Sequence, residues 1–286
     1  MPEAIRLMRM AFEALGRGEA QNQPRRRLIL PTGSVLHSLA GSCGSYFGTK
    51  FYSTNPKHGA HFLFALYDAA TAKPLALMQA NYLGQIRTGA ASGYATDLLA
   101  NPDATVLGVI GSGFQARTQI EAIRSVRPIS DVRLWSRNSE KRSSCAHETG
   151  AHAVDTAEQA VRGAHIVVTA TNAKDPVLDD EWISPGTHIN AMGSNIASRR
   201  ELPSALVRRA AIVAVDALDQ ARLEAGDLIL ADSWANTVEL KDVQRHYSPE
   251  SVTIFKSIGL GLEDVAAGGF VFEQARQHGL GRALYS

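Results

Sequence analysis

Cysteine is scarce in this sequence, and no charge sign dominates it. The 286 residues include two cysteines, Cys43 and Cys145, with no CxxC pair. This spacing argues against a disulfide framework and against a zinc site, so we expect no metal and a reducing cytoplasmic location. The formal net charge of +1 is too small to attract nucleic acid or an anionic membrane, and neither is expected as a partner.

Long apolar runs are also missing. No stretch approaches the roughly 20 apolar residues that a membrane span needs. The first residues lack the basic start and continuous apolar run of a signal peptide, and their helical spacing of apolar side chains predicts a helix instead. With 45% hydrophobic and 20% charged residues, the composition is that of a globular protein, long enough for two domains.

The chain changes pattern near residue 100. Before it, short strands at 44–52, 61–67 and 74–79 lie between helices, which predicts an α+β unit. After it, β-branched strands at 105–110, 132–135, 165–171, 188–192 and 211–215 alternate with amphipathic helices. Such βαβ repeats predict a parallel, doubly wound sheet of the Rossmann type. We therefore assign residues 101–261 to a dinucleotide-binding domain.

A glycine-rich turn follows the first strand of this domain. The apolar strand 105–110 leads directly into Gly111, Ser112, Gly113, Phe114, Gln115 and Ala116, a GxGxxA motif that opens a helix. Gly111 permits the tight turn, Gly113 lets the backbone approach a pyrophosphate, and Ala116 keeps helix and strand close. The helix N-terminus then supplies N–H groups and a positive dipole end for the phosphates. The motif in this setting predicts binding of a nicotinamide dinucleotide.

The end of the second strand bears on which dinucleotide is bound. NAD-binding domains usually place a carboxylate there for the ribose 2′-hydroxyl. This sequence has Ser136, Arg137 and Asn138 instead, which suit a 2′-phosphate. NADP(H) is therefore favoured, with NAD(H) possible.

Chemistry is expected at the carboxyl ends of the strands, where such sheets bind their ligands. Cations of the first domain are the other candidates, and Arg87 in particular opens the predicted helix 88–99, where a cation opposes the dipole and an anionic ligand would explain it. A surface salt bridge is the alternative for each cation. The strand-end candidates for the cofactor are Thr169, Thr171, Met192, Gly193 and Ser257, and the cations are Arg26, Lys50 and Arg87.

These stretches together resemble the ornithine cyclodeaminase and mu-crystallin family over nearly the whole chain. Their agreement in order is more specific than any one motif. The matching stretches are 24–26, 48–50, 86–92, 110–116, 190–194 with Glu201-Leu202, and 253–259 before Glu263-Asp264.

The resemblance implies a fold, an assembly and a site. It implies an α/β fold in which the Rossmann domain is inserted into a smaller α+β substrate and dimerisation domain formed by both chain ends, 1–100 and 262–286, and a homodimer. It also implies that Arg26, Lys50 and Arg87 bind the substrate carboxylate and the reacting centre. Family members include imine and ketimine reductases, alanine-type amino-acid dehydrogenases and ornithine cyclodeaminases.

One departure from the family pattern narrows the activity. Cyclodeaminases carry an aspartate where this chain has Asn195, and an amide is a poor general base and a poor partner for an ammonium group. We therefore expect an NAD(P)H-dependent reductase of the C=N bond of a cyclic or linear ketimine acid, with Asn195 among the substrate-binding residues. The alternatives are an ornithine cyclodeaminase, an alanine-type dehydrogenase, and an NADPH-dependent protein that binds a small ligand without turnover.

Overall fold

The computed structural model describes residues 1–283, which divide into two compact units. The first unit contains residues 1–6 and 88–259, and the second contains residues 7–87 and the chain from Leu260 onward. These boundaries differ from the sequence-based ones at 100/101 and 261/262. The assignment of cofactor and substrate to separate domains stays a prediction.

The first unit is built on an eight-stranded sheet in which every neighbouring pair is parallel. Its central strands are continuous apolar runs, as a sheet covered on both faces requires. In spatial order the strands are β12 (Thr237–Glu239), β11 (Ile212–Val215), β13 (Thr253–Lys256), β10 (His188–Ala191), β9 (Ile166–Thr169), β6 (Val106–Ile110), β7 (Asp131–Trp135) and β8 (His152–Ala153).

Helices connect these strands, and two buried apolar clusters fill the unit. The reversal of strand order between β6 and β9 is the switch point at which such sheets bind ligands. The predicted α/β, Rossmann-type fold class is confirmed. The helices are α3 (Phe114–Val126), α4 (Ser139–Thr149), α5 (Ala157–Val161), α6 (Ser204–Arg209), α7 (Leu218–Glu224) and α8 (Gly226–Ala231), with 3-10 turns at Asp180–Trp182 and Leu240–Asp242.

The second unit is a five-stranded antiparallel meander with a helix packed on one face. Its apolar core includes Phe64, Leu66 and Val265. Side chains alternate between the face that packs on α9, called the inner face, and the opposite, outer face. The strands are β1 (Gln21–Ile29), β2 (Val35–Cys43), β3 (Tyr46–Asn55), β4 (Gly59–Asp68) and β5 (Pro74–Gln79), and the helix is α9 (Gly261–Gln277).

Glycines allow α9 to lie directly on the sheet. A Cβ added to Gly41 of β2 would lie 2.5 Å from the backbone nitrogen of Leu262, and one added to Gly261 would lie 2.6 Å from the carbonyl carbon of Ala40. Both contacts are with backbone atoms, which have little freedom to move away. The start of α9 is therefore held at a fixed distance from β2.

Two remaining helices correct the sequence-based expectations. α1 covers Pro2–Gly16, and α2 covers Asn81–Leu99, so α2 begins well before the predicted residue 88. Arg87 is the seventh residue of α2 rather than its opening residue, and the argument that it opposes the helix dipole was wrong. The strands β1 and β2 and the helix α4 were not predicted. The three arginines of β1 and the polar residues of β2 and α4 obscure the apolar periodicity of these segments.

Residues 1–283 contain neither a candidate membrane span nor a candidate metal site. Within this part of the chain, no helix has the length and apolar character that would let it cross a membrane. The same residues contain no group of three or more His, Cys, Asp or Glu side chains arranged to hold a metal ion.

Candidate functional site

The glycine turn between β6 and α3 shapes a cleft of about 1400 Å³ in the first unit. Gly111 has a φ of +120°, and a Cβ there would lie 2.4 Å from the carbonyl oxygen of Ala170, so only glycine fits. At Gly113 no described atom lies within 4 Å of a Cβ position, which leaves the backbone open to a ligand. No side chain caps α3, and an uncapped helix N-terminus offers N–H groups to an anion. These features fit a dinucleotide pyrophosphate.

The end of the cleft beside β7 carries cations and hydroxyls. Ser136, Arg137, Asn138 and Lys141 line it, with no carboxylate among the described lining residues at this end. The Ser136 hydroxyl lies 2.7 Å from that of Ser112, which joins the strand end to the glycine turn. The Asn138 side-chain oxygen caps α4 by accepting a 2.8 Å bond from the Lys141 backbone, while Arg137 is exposed. Arg137 and Lys141 therefore give this end a positive charge.

One buried carboxylate holds the far wall of the cleft. Both oxygens of Glu201 accept hydrogen bonds, from the Thr169 hydroxyl (3.0 Å), the Gly193 N–H (2.7 Å), and the N–H and hydroxyl of Thr171 (2.7 Å each). Glu201 itself is fully buried, whereas Thr171 and Gly193 line the cleft. Glu201 thus fixes the segments that follow β9 and β10, and the Thr171 hydroxyl is committed to it rather than to a ligand.

Glu201 belongs to a network of three buried charged side chains. An oxygen of Asp227 accepts from the backbone N–H of Glu201 (2.7 Å), and its other oxygen lies 2.9 Å from the ammonium of Lys256. Lys256 also donates to the carbonyl of Ser194 (2.6 Å). Burial raises the pKa of Glu201, and the charge of Lys256 opposes that rise. The network joins β13, α8 and the cleft wall.

Lys50 and Arg87 come together on two carboxylates inside the second unit. The Lys50 ammonium lies 2.7 and 2.8 Å from the two oxygens of Asp264. The guanidinium of Arg87 donates to Asp264 (3.1 Å) and to Glu263 (2.8 Å). All four side chains are at most 7% exposed. Asp264 therefore bridges the two cations on which the predicted chemistry depends.

The buried position of Lys50 changes its acidity. Burial, followed by the positive charge of Arg87, lowers the pKa of Lys50 to about 8, although Asp264 opposes the change. Arg25 also lowers the pKa of Lys50 through its charge. An ammonium with a pKa near neutral can exchange a proton with a bound substrate, which an ordinary surface lysine does poorly.

The two neighbouring arginines of β1 lie in different settings. A β-bulge interrupts the pairing of β1 with β2 between Gln23 and Arg26, and Arg25 lies within this bulge. Arg25 is 7% exposed, and its positive charge lowers the pKa of Lys50. Arg26 is paired with Ser38 in the strand register, and both residues are exposed. The charge of the buried Arg25 therefore acts on Lys50, and the role of Arg26 at the reacting centre stays a prediction.

The remaining predicted residues fall into three groups. Those of the first unit that line the cleft are Gly111, Ser112, Gly113, Phe114, Gln115, Ser136, Arg137, Asn138, Thr171, Met192 and Gly193. Ala116, Thr169 and Ser257 are buried and are not among the lining residues. Asn195 lies partly buried in the segment after β10, also in the first unit.

The sequence did not predict the carboxylates that order the cleft wall and the pair of Lys50 and Arg87. Glu201, Glu263 and Asp264 were noted only as parts of matching stretches. The available signal was that each of these acidic residues stands next to an apolar one, Leu202, Leu262 or Val265. An acidic residue that is buried with such a neighbour is usually paired.

The chain is similar to proteins of known family and activity. The profile of the ornithine cyclodeaminase/mu-crystallin family matches residues 1–279. The chain is 34% identical to an alanine dehydrogenase of Archaeoglobus fulgidus, over 99% of this chain and 94% of that protein. It is 37% identical to a Delta(1)-pyrroline-2-carboxylate reductase of Bacillus cereus, over 92% of this chain and 86% of that protein.

A solved structure shows the same fold. The Delta(1)-pyrroline-2-carboxylate reductase of Thermococcus litoralis, in complex with NADH and L-proline, superposes with a TM-score of 0.92 and 29% identity, covering 99% of this chain and 95% of that one. Fold, sequence profile and relatives of nearly full length thus agree. The chain belongs to the ornithine cyclodeaminase/mu-crystallin family.

Proposed function

We propose that this protein is an NAD(P)H-dependent reductase of the C=N bond of a cyclic or linear ketimine acid. The observation that carries the proposal is the buried Lys50, with a pKa of about 8, beside the guanidinium of Arg87. A carboxylate-bearing imine needs a cation to bind its acid group and a proton donor for its nitrogen, and this pair supplies both. The named activities of the pyrroline-2-carboxylate reductase relatives support the same chemistry.

The second unit's cations divide the work. Arg87 and an arginine of β1 bind the substrate carboxylate, which orients the imine carbon. Lys50 donates a hydrogen bond to the imine nitrogen and passes it a proton as the carbon is reduced, after which water reprotonates the amine of Lys50. Bound NAD(P)H supplies the hydride.

The glycine turn, with Ser112, Phe114 and Gln115, is the proposed dinucleotide site. NADP(H) is the preferred form, because Arg137 and Lys141 line the end where a 2′-phosphate would lie and Ser136 and Asn138 offer polar groups there. Met192 and Gly193 line the opposite wall. Thr169 and Ser257 support that wall from behind, and NAD(H) remains an acceptable ligand.

An alanine-type dehydrogenase is the second candidate, and the Archaeoglobus relative favours it. This reaction uses the same cations on an imine formed from a 2-oxo acid and ammonia. Cyclodeamination is less well supported, because Asn195, proposed to contact substrate, has no carboxylate to accept a proton.

The deciding assay follows absorbance of NADPH, and separately of NADH, with Δ1-pyrroline-2-carboxylate, with pyruvate and methylamine, and with pyruvate and ammonia. Ammonia release from ornithine is measured alongside. Oxidation of NADPH with the first two imines is expected. Ammonia release from ornithine with no imine reduction would overturn the proposal in favour of a cyclodeaminase.

A matched pair of variants decides which arginine binds the carboxylate. Arg25→Gln should raise the KM of the imine at least tenfold, as loss of a charged hydrogen bond does, while Arg26→Gln should leave it within about twofold. The reverse result would restore Arg26, the arginine named by the family motif.

We also propose a cytoplasmic homodimer. Leu28, Leu36, Leu63 and Leu77 share the outer face of the five-stranded sheet and are 37–60% exposed. Such an apolar sheet face suits burial against a second copy. Light scattering of the purified protein, and of Leu36→Glu, measures the assembly directly. The two free cysteines, Cys43 and Cys145, suit a reducing compartment.

A further inference from the structure

The three buried charged side chains behind the cleft wall do not balance one another. Glu201, Asp227 and Lys256 are each at most 1% exposed, and they bring two carboxylates together with one ammonium. Lys256 lies 2.9 Å from an oxygen of Asp227, so these two form the ion pair. The hydrogen bonds of Glu201 come instead from hydroxyls and backbone N–H groups, which carry no charge.

The hydrogen bonds of Glu201 favour its charged form. Each of its oxygens accepts from one backbone N–H, that of Thr171 on one side and that of Gly193 on the other, and such groups can only donate. Burial raises the pKa of Glu201, but the charge of Lys256 and the hydrogen bonds from Thr171 act in the opposite direction. With Glu201 ionised, the network carries one negative charge in excess.

This charge lies directly behind the surface of the cleft. Thr171 and Gly193 line the cleft, and both donate to Glu201. A Cβ at Gly193 would collide with the carboxylate of Glu201, so at this residue no side chain separates the carboxylate from the cleft. The charged side chains that line the same side are exposed or half-buried, and water screens them. They are Lys174, Asp175 and Arg199.

The proposed dinucleotide site brings the nicotinamide to this wall. With the pyrophosphate at the glycine turn and the adenosine half beside β7, the other half extends across the ends of β9 and β10. Glu201 holds the segments that follow these two strands. We propose that the charge of Glu201 sets the redox preference of the bound cofactor, by favouring the oxidised, cationic nicotinamide over the reduced, neutral one.

This inference rests on the proposed dinucleotide site and adds a role for a residue that does not line the cleft. Glu201 is a positioning residue, because it acts on the cofactor through the wall. Its charge also assists the proposed reduction. The nicotinamide ring is neutral before it gives up a hydride and cationic afterwards, so a fixed negative charge behind the wall stabilises the ring as its positive charge develops.

The test uses two variants that separate charge from shape. Glu201→Gln keeps the length of the side chain and loses the charge, whereas Glu201→Asp keeps the charge and is too short to reach all the donors. Isothermal titration calorimetry without substrate gives the Kd of the oxidised and of the reduced cofactor. The cofactor is whichever of NADP(H) and NAD(H) the wild type binds more tightly.

We expect the ratio of the two constants, oxidised over reduced, to rise roughly tenfold in Glu201→Gln, the order of magnitude for unit charges that interact through a protein. In Glu201→Asp both constants should rise while their ratio stays close to that of the wild type. A purely structural role would change both constants alike in both variants. An equal change of the ratio in Glu201→Asp would therefore overturn the inference.

Asp227→Asn repeats the test without altering the groups bonded to the wall, and it serves if Glu201→Gln does not fold. It removes one negative charge, and its amide oxygen can still accept from the backbone N–H groups of Glu201 and Leu202. The ratio should rise here too. An unchanged ratio in Glu201→Gln and Asp227→Asn would overturn the inference alone. A wild type that binds neither dinucleotide would overturn the proposed function, and with it this inference.

Discussion

At the scale of single residues, the acidity of Lys50 is the property most open to measurement. Burial and Arg87 hold its pKa near 8, so the ammonium form predominates below that pH and is lost above it. If Lys50 gives its proton to the imine, kcat/KM should fall above pH 8, because this parameter reports groups of the free enzyme. A Lys50→Arg variant should lose most of its activity at every pH, since its guanidinium does not release a proton in this range.

Asp264 sets the position of that limb. Its charge raises the pKa of Lys50, so Asp264→Asn should move the alkaline limb to lower pH, by about one unit. The measurement is the pH profile of kcat/KM at saturating cofactor. A limb that moves upward, or stays above pH 9.5 in the wild type, would contradict the assignment of Lys50 as proton donor.

At the scale of elements, the contact between β2 and α9 determines whether the cation cluster forms. This cluster consists of Lys50 and Arg87 with the carboxylates of Glu263 and Asp264. α9 carries Glu263 and Asp264 in its first turn, and the glycine contact at Gly41 fixes that turn against β2. Gly41→Ala would force the backbone of the two elements apart. Overpacking of this kind costs about 1–3 kcal/mol.

Gly41→Ala should therefore lower the melting temperature and, in the folded fraction, raise the KM of the imine without changing the affinity for NADPH. Ser38→Ala, an exposed outer-face position of the same strand, is the matched control. Equal effects of the two variants would show that the approach of α9 to β2 does not matter for the cluster.

The strands and helices also show which parts of the fold could be predicted from the sequence. Strands such as β6 and β9 are apolar runs followed by turn residues, and the glycine motif gained meaning from its place between strand and helix. The strand β1 was missed because its arginines obscure the alternation, and the bulge that buries Arg25 rather than Arg26 leaves no mark in residue spacing. The pairing of Lys50 with Asp264 depends on tertiary structure across 214 residues of sequence, which no local pattern reports.

At the scale of the whole molecule, cofactor binding should be visible as stability. A ligand present at a hundred times its Kd stabilises the folded state by about 2.7 kcal/mol. NADPH should raise the unfolding temperature more than NADH at equal concentration, because Arg137 and Lys141 line the end of the cleft at which we propose that the 2′-phosphate binds.

Differential scanning fluorimetry with each dinucleotide measures this difference. Arg137→Gln should reduce the difference between the shifts caused by NADPH and NADH. Arg124→Gln, in the last turn of α3, should leave that difference unchanged. A larger shift with NADH than with NADPH would reverse the proposed cofactor preference.

The long separation between Lys50 and Asp264 also governs when the protein becomes competent during its synthesis. The ribosome synthesises β3 early and α9 late. Lys50 can therefore pair with Asp264 only after residues 263 and 264 have left the exit tunnel. A nascent chain halted before α9 would carry the glycine turn but no assembled cation cluster. Reduction of substrate therefore requires the complete chain, since a truncated product that binds the cofactor would lack the paired carboxylates of α9.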